Sequence, residues 1–252
     1  MPMWSIGSPH NSGDMTTHAT TQPEIIHTRT AGTSSLRRAG GIAALVKAAT
    51  YIVGFGVMGA YLAPRGLADA QGDPGASLSF LLDNQAAMYS WYLVLYLVGG
   101  IALVSLVLGV HDVLRRKAPT LSLTAGVFGT IWAGLLLASG LISLVGQRAV
   151  VELATSDTVM AESTWSSVSV IQDALGGGIE IVGAVWVFLV GIAGIRSGVL
   201  GRGLCALGIA TGVIGAWTLL PAVADAAAGM FGIAFIVWFV WAGVVLLRGQ
   251  RR

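Results

Sequence analysis

The sequence predicts an all-α polytopic integral membrane protein, six transmembrane helices in an antiparallel up-down bundle. Three observations carry this expectation. The composition is 55% hydrophobic and only 10% charged over 252 residues, against about 25% charged in an ordinary soluble domain. Apolar runs of helical, membrane-crossing length recur along the chain, as about 30 Å of hydrocarbon requires. The charges between those runs segregate: taken alternately, one set of connections holds twelve of the 14 Lys and Arg residues, and the other holds only Arg65 and Arg148.

Residues 1–36 are rich in Ser, Thr, Gly and Pro and show no apolar periodicity, so they read as a disordered cytoplasmic tail. His10, His18 and His27 are spaced too widely for a preformed metal site and read as solvated. Arg37-Arg38, an apolar run and Ala68-Asp69-Ala70 have the outline of a cleaved twin-arginine leader. The run is too long for one and further spans follow, so it is read as the first span, 42–62. Lys47 lies near the start of that span, where its methylene stem would let the ammonium snorkel to the headgroups.

Pro64 ends the first helix, and 63–89 is the first long outer loop, with Asp69, Asp73 and Asp83; its SLSFLLDN segment starts a helix early. The second span, 90–110, begins among Tyr89, Trp91, Tyr92 and Tyr96, read as an interfacial aromatic belt in preference to a ligand-stacking box. A basic turn from His111 to Lys117 leads to the third span, 121–145. Along it Gly126, Thr130 and Gly134 recur every four residues, a small-residue stripe expected to pack against a neighbouring helix.

The second outer loop, 146–175, carries Arg148, Glu152, Asp157, Glu162 and Asp173; the helical spacing of Trp165, Val168, Ile171 or Gln172, and Leu175 predicts an amphipathic helix leading into the fourth span, 177–195. That span holds Glu180, the one acidic residue well inside an apolar run. The short SGVLGRG turn makes the fourth and fifth spans antiparallel neighbours. In the fifth, 204–220, Gly208, Gly212 and Ala216 repeat the packing stripe, and the sixth, 229–247, runs into a basic end. Residues 37–252 thus form one membrane domain. The lone Cys205 excludes an intrachain disulfide and a Cys-based metal site, and reads as a small buried apolar residue.

The Lys and Arg excess marks the cytoplasmic side, which places both termini there. Eight of the 12 acidic residues fall on the outer side. The expected partners are membrane lipids, with anionic headgroups at the cytoplasmic rim worth about 1 kcal/mol per basic residue, and a membrane-protein partner or a second copy of the chain; nucleic acid is not expected.

Gly176-Gly177-x-x-Glu180, the run from Gly191 to Gly198 (GIAGIRSG), and the closing FIVWFVWAGVVLLR resemble a bacterial family of six-span membrane proteins catalogued as domain of unknown function 4386. Span count and loop lengths extend the likeness over 40–252. After the Arg-Ser-Gly turn the family reads Leu-Pro-Arg-Trp-Leu-Gly, whereas VLGRGLCALG here lacks both Pro and Trp. The resemblance implies a bacterial plasma (inner) membrane, and it supplies no activity.

No nucleophile elbow, P-loop or HExxH motif occurs, no second carboxylate, His or Cys shares a span with Glu180, and paired histidines for haem are lacking. No catalytic residue, cofactor or metal is therefore expected, and the chain leans away from an enzyme. The candidate intramembrane polar site is Glu180 with Arg148 and Asp173, Glu180 being neutralised by Arg148. The leading expectation is an uncharacterised interaction or regulatory membrane protein. The alternative is a proton- or cation-linked transporter or sensor using Glu180, with a membrane-embedded enzyme third. WAGLLL and WAGVVLL, in the third and sixth spans, have the placement of inverted repeats and are read as coincidence.

Overall fold

The computed structural model describes residues 27–177 and 180–249, so the tail reading for 1–26 lies outside the described residues. Six helical runs are long and apolar enough to cross a membrane: Ser35–Arg65, Gln85–Leu114, Pro119–Leu153, Thr158–Ser197, Arg202–Leu219 and Ala224–Arg248. The first is α1 (His27–Val57), continued by a π-helical turn at Met58–Leu62 and a 3-10 turn at Ala63–Arg65. After it come α2 (Leu67–Ala70) and α3 (Pro74–Asp83). The second span joins α4 (Gln85–Tyr92), a π turn at Leu93–Val98 and α5 (Gly99–Leu114). The third is α6 (Pro119–Leu153). The fourth consists of α7 (Thr158–Gln172), a kinked junction at Asp173–Gly177 and α8 (Ile181–Ser197), and the last two are α9 (Arg202–Ala216) and α10 (Ala224–Arg248).

Each span packs on its neighbour in the chain, α1 on α5, α5 on α6, α6 on α8, α8 on α9 and α9 on α10, and α10 closes the ring on α1. The protein is an all-α up-down bundle and a multi-pass membrane protein. Side chains such as Ile101, Leu123, Val145 and Ile233 are more than 60% exposed, an arrangement that suits lipid.

The spans extend beyond the bounds read from the sequence. Residues 27–36, expected to be tail, begin α1. Arg37 donates from Nε to the Leu246 carbonyl at 3.0 Å and from Nη2 to that of Val245 at 3.3 Å, so the basic pair taken for a flank covers free carbonyls at the end of α10. The stretches 63–89 and 146–175 are largely helical rather than loops. With 35 residues, α6 is about 52 Å long, well beyond the hydrocarbon thickness. Its far end supports α7, and α3 packs on α7, with Trp165 Nε1 donating to Ser77 Oγ at 3.1 Å. Asp73 and Asp157 cap α3 and α7 by accepting from Ala76 N at 2.7 Å and Met160 N at 2.9 Å.

Glycines let helices approach to backbone contact. A Cβ at Gly40 would lie 2.8 Å from the Gly109 Cα, at Gly191 2.7 Å from the Cys205 carbonyl, and at Gly212 2.7 Å from that of Ala184. Gly208 and Gly212 therefore hold the α8–α9 interface as expected, while Ala216 is only half-buried and Gly215 takes the buried position on that face. The α6 stripe is a correction. Gly126 is half-buried, Thr130 and Gly134 are exposed, and a Cβ at Gly134 would meet nothing. The inward face of α6 is instead Gly129, Ala133, Leu136 and Gly140. Trp132 of α6 lies against Gly183 of α8 and Trp186 of α8 against Gly129 of α6, and Phe235 and Trp238 of α10 pack on both indoles or on Trp186 alone. Trp132 is buried and Trp241 exposed, so the two WAG segments do not occupy equivalent environments.

Candidate functional site: a charged cavity inside the bundle

A cavity of about 230 Å³ opens within the ring, walled by Lys47, Tyr51, Met58, Trp91, Leu95, Tyr96, Leu136, Gly176, Glu180 and Phe231, among others. Among the described residues both regular π turns and the helix break at Gly176 reach it: Met58 from the first turn, Leu95 and Tyr96 from the second, Gly176 from the break. A π turn inserts a residue into the helical register and is enriched at functional sites. Along α8 and α10 the cavity residues come first, from the end carrying α3 and α7, and the aromatic packing around Trp186 and Phe235 comes after. In the oppositely directed α6, Trp132 precedes Leu136. The cavity is thus nearer that end, and the aromatic packing forms its floor.

Lys47 is fully buried, and its Nζ has no hydrogen-bond partner; the nearest attraction is the Tyr51 ring, 4.4 Å to the centroid. Its place exists because residue 99 is glycine: a Cβ there would lie 2.8 Å from Nζ and 3.1 Å from Thr50 Oγ1. Gly99 is midway along the 30-residue second span, so Lys47 sits at mid-depth. The snorkelling expected from the sequence does not occur. The first span starts at Ser35, which leaves about 18 Å of helix between its beginning and Lys47.

Glu180 stands at the head of α8, after a helix break at Gly176, whose φ of 151° is a conformation that favours glycine. Its backbone N–H donates to Thr218 Oγ1 at 3.1 Å, and that hydroxyl donates to the Gly215 carbonyl at 2.7 Å. The end of α9 thereby fixes Glu180 while its side chain is left to the cavity. The start of α8 also places positive dipole near the carboxylate. Part of the Glu180 surface stays accessible, and the cavity it borders is partly open to the outside.

Lys47 and Glu180 are Coulombic partners, yet they do not touch. Among the described residues the ion pair that forms is Arg115–Asp112, at 2.8 Å. The structure does not bring Arg148 to Glu180. Arg148 is exposed near the far end of α6, in a separate groove with Tyr89, Gln147 and Glu152, because α6 runs on past the depth at which the third span was expected to end. Asp173 is exposed at the start of the kinked junction and is not part of the cavity wall.

Behind the cavity lies a buried polar relay. Gln172 Nε2 donates to the Tyr96 hydroxyl at 2.8 Å, the Tyr92 hydroxyl reaches Gln172 Oε1 at 3.4 Å, and Ser139 Oγ donates to the Gln172 carbonyl at 3.1 Å. The aromatic cluster is therefore not a belt. Tyr89 alone is exposed; Tyr92 and Tyr96 are buried, and Trp91 donates to the Gly54 carbonyl at 3.0 Å in the cavity wall. Lys47, Tyr51, Tyr96 and Gln172 are the site residues that sequence reasoning missed. The available signal was a lysine followed four residues later by a tyrosine, on one helix face inside a span.

Among the described residues no three His, Cys, Asp or Glu side chains gather as a metal-binding set. Cys205 is buried against Gly194 and the Leu200 carbonyl. The chain matches no family model, no curated protein and no solved structure. Fold and site together define a class, a multi-pass α-helical membrane protein with a charged internal cavity.

Proposed function

We propose that this protein is a plasma-membrane transporter or sensor of a small solute, linked to proton or cation movement, that works through the cavity between Lys47 and Glu180. One observation carries the reading: a lysine buried at mid-depth with no hydrogen-bond partner, beside a cavity that also holds a carboxylate. Charged residues at that depth cost about 2.5 to 3.5 kcal/mol on insertion scales and face a partner, a pathway or a wet cavity. The scarcity of intramembrane polar groups, which favoured the interaction or regulatory reading from the sequence, weighs differently once they gather at one place. The ionisable groups facing the pair are Tyr51 from α1 and Tyr96 from the second span; α6 and α10 contribute none to the wall.

Membership in the domain of unknown function 4386 family is part of the proposal, supported by the position of its Gly-Gly-x-x-Glu opening, where Gly176 makes the break and Glu180 follows it. A bacterial inner membrane with both termini in the cytoplasm is supported by the same resemblance and by the basic count. On that reading the exposed Arg115, Arg116 and Lys117 meet anionic headgroups, and the cavity lies toward the outer half. The test is proton flux in proteoliposomes under an imposed pH gradient, with pools of amino acids, carboxylates or amines outside. Glu180→Gln and Lys47→Met should lower the flux about tenfold or more, while Arg148→Gln retains it. A wild-type protein without flux in any pool, or variants matching it, would overturn the proposal.

A further inference from the structure

We infer that the cavity binds a small zwitterion, with the ligand's carboxylate at Lys47 and its ammonium at Glu180. The inference rests on the reading of this cavity as the working site and adds the class of solute. Lys47 Nζ offers three donors and has no acceptor. The carboxylate of Glu180 receives no donor from the described residues, its hydrogen bond with Thr218 being made by its backbone. Both groups border one cavity and are not joined as an ion pair.

A lone anion at Lys47 would bring its charge toward the carboxylate of Glu180, and a lone cation at Glu180 would approach the ammonium of Lys47. In a setting of low dielectric either repulsion is expensive. A molecule carrying both charges satisfies both side chains and leaves the net charge of the site unchanged. The walls suit its body: Leu95, Leu136 and Phe231 for a short carbon chain, and the rings of Trp91 and Tyr96 for the ammonium end, the Tyr51 ring being already engaged by Lys47. A volume of about 230 Å³ matches the body of a small organic molecule.

The experiment uses the full chain in detergent, with binding measured calorimetrically at neutral pH for glycine, β-alanine, 4-aminobutyrate and 6-aminohexanoate, and for butyrate and butylamine as single-charge controls. The expected result is a preferred zwitterion length, with butyrate and butylamine bound about tenfold or more weakly. Glu180→Gln and Lys47→Met should each weaken the zwitterion by a similar factor. The two variants should diverge in what remains: Glu180→Gln gains in butyrate over butylamine, and Lys47→Met gains in butylamine over butyrate. A merely damaged fold would not produce that opposite change. Absence of zwitterion binding, equal binding of the single-charge controls, or variants that bind like wild type would overturn the inference. Flux that persists without zwitterion binding would remove the inference and leave the proposed function standing; loss of both would remove both.

Discussion

Between α8 and α9 the interior is close-packed, with backbone near backbone: Gly191, Gly208 and Gly212 let the two helices touch, and Cys205 fills the space beside Gly194. Around Lys47 and Glu180 the same bundle has an open volume, two charges that do not meet, and a wall interrupted by two π turns and the helix break at Gly176. Lipid gives helices no hydrophobic reason to associate, so close packing and a few hydrogen bonds hold them. The first region shows that this chain achieves such packing without charge. If the charges of the second serve function, they should not be required to hold the ring. Unpartnered indole N–H groups on Trp132 and Trp238 are a milder expense than a buried ammonium, because they are neutral.

The largest expected effect lies in the close-packed region. Gly212→Val would place a Cβ 2.7 Å from the Ala184 carbonyl, where the obstacle is backbone and cannot rotate away, so a loss of about 3 kcal/mol is expected in reversible unfolding in detergent. A loss below about 0.5 kcal/mol would show that α8 and α9 separate freely. In the polar region, Gln172→Leu removes the bond to Tyr96 and should cost about 1 kcal/mol by the same measurement; a cost as large as that of Gly212→Val would make the relay a structural keystone. Smallest is Gly134→Val, on the outward stripe of α6, expected within about 0.5 kcal/mol of wild type. A larger destabilisation there would mean that this face is covered by a second copy or another membrane protein.

The six spans were legible because apolar length and the alternation of basic connections are properties of the chain itself. The short turn at Gly198, with its φ of 64°, made α8 and α9 neighbours on the page. What remained hidden depends on which helices meet. A four-residue stripe shows that small residues share a face but not where the face points: Gly208 and Gly212 point inward, while Thr130 and Gly134 point outward. Lys47 was placed by counting from Ile42, yet the helix begins earlier because Arg37 is held by the carbonyls of α10, more than two hundred residues away. Glu180 stood out as the lone acidic residue in an apolar run, but its charge partner was sought in the nearest connection. Ring closure between α1 and α10 brings Lys47 from the far end of the sequence instead.

The central claim, that the buried charges serve function and not the stability of the ring, is tested most directly by the unfolding free energy of Lys47→Met in the same detergent as wild type. Methionine fills the volume of the lysine stem without the ammonium, whose burial with no hydrogen-bond partner is itself costly. Because Lys47 makes no ion pair and no side-chain hydrogen bond, the expected result is a variant as stable as wild type or more stable by about 1 kcal/mol, with its proton flux lost. A destabilisation of about 3 to 5 kcal/mol, the cost of breaking a buried pair, would contradict the account and make Lys47 and Glu180 a structural link.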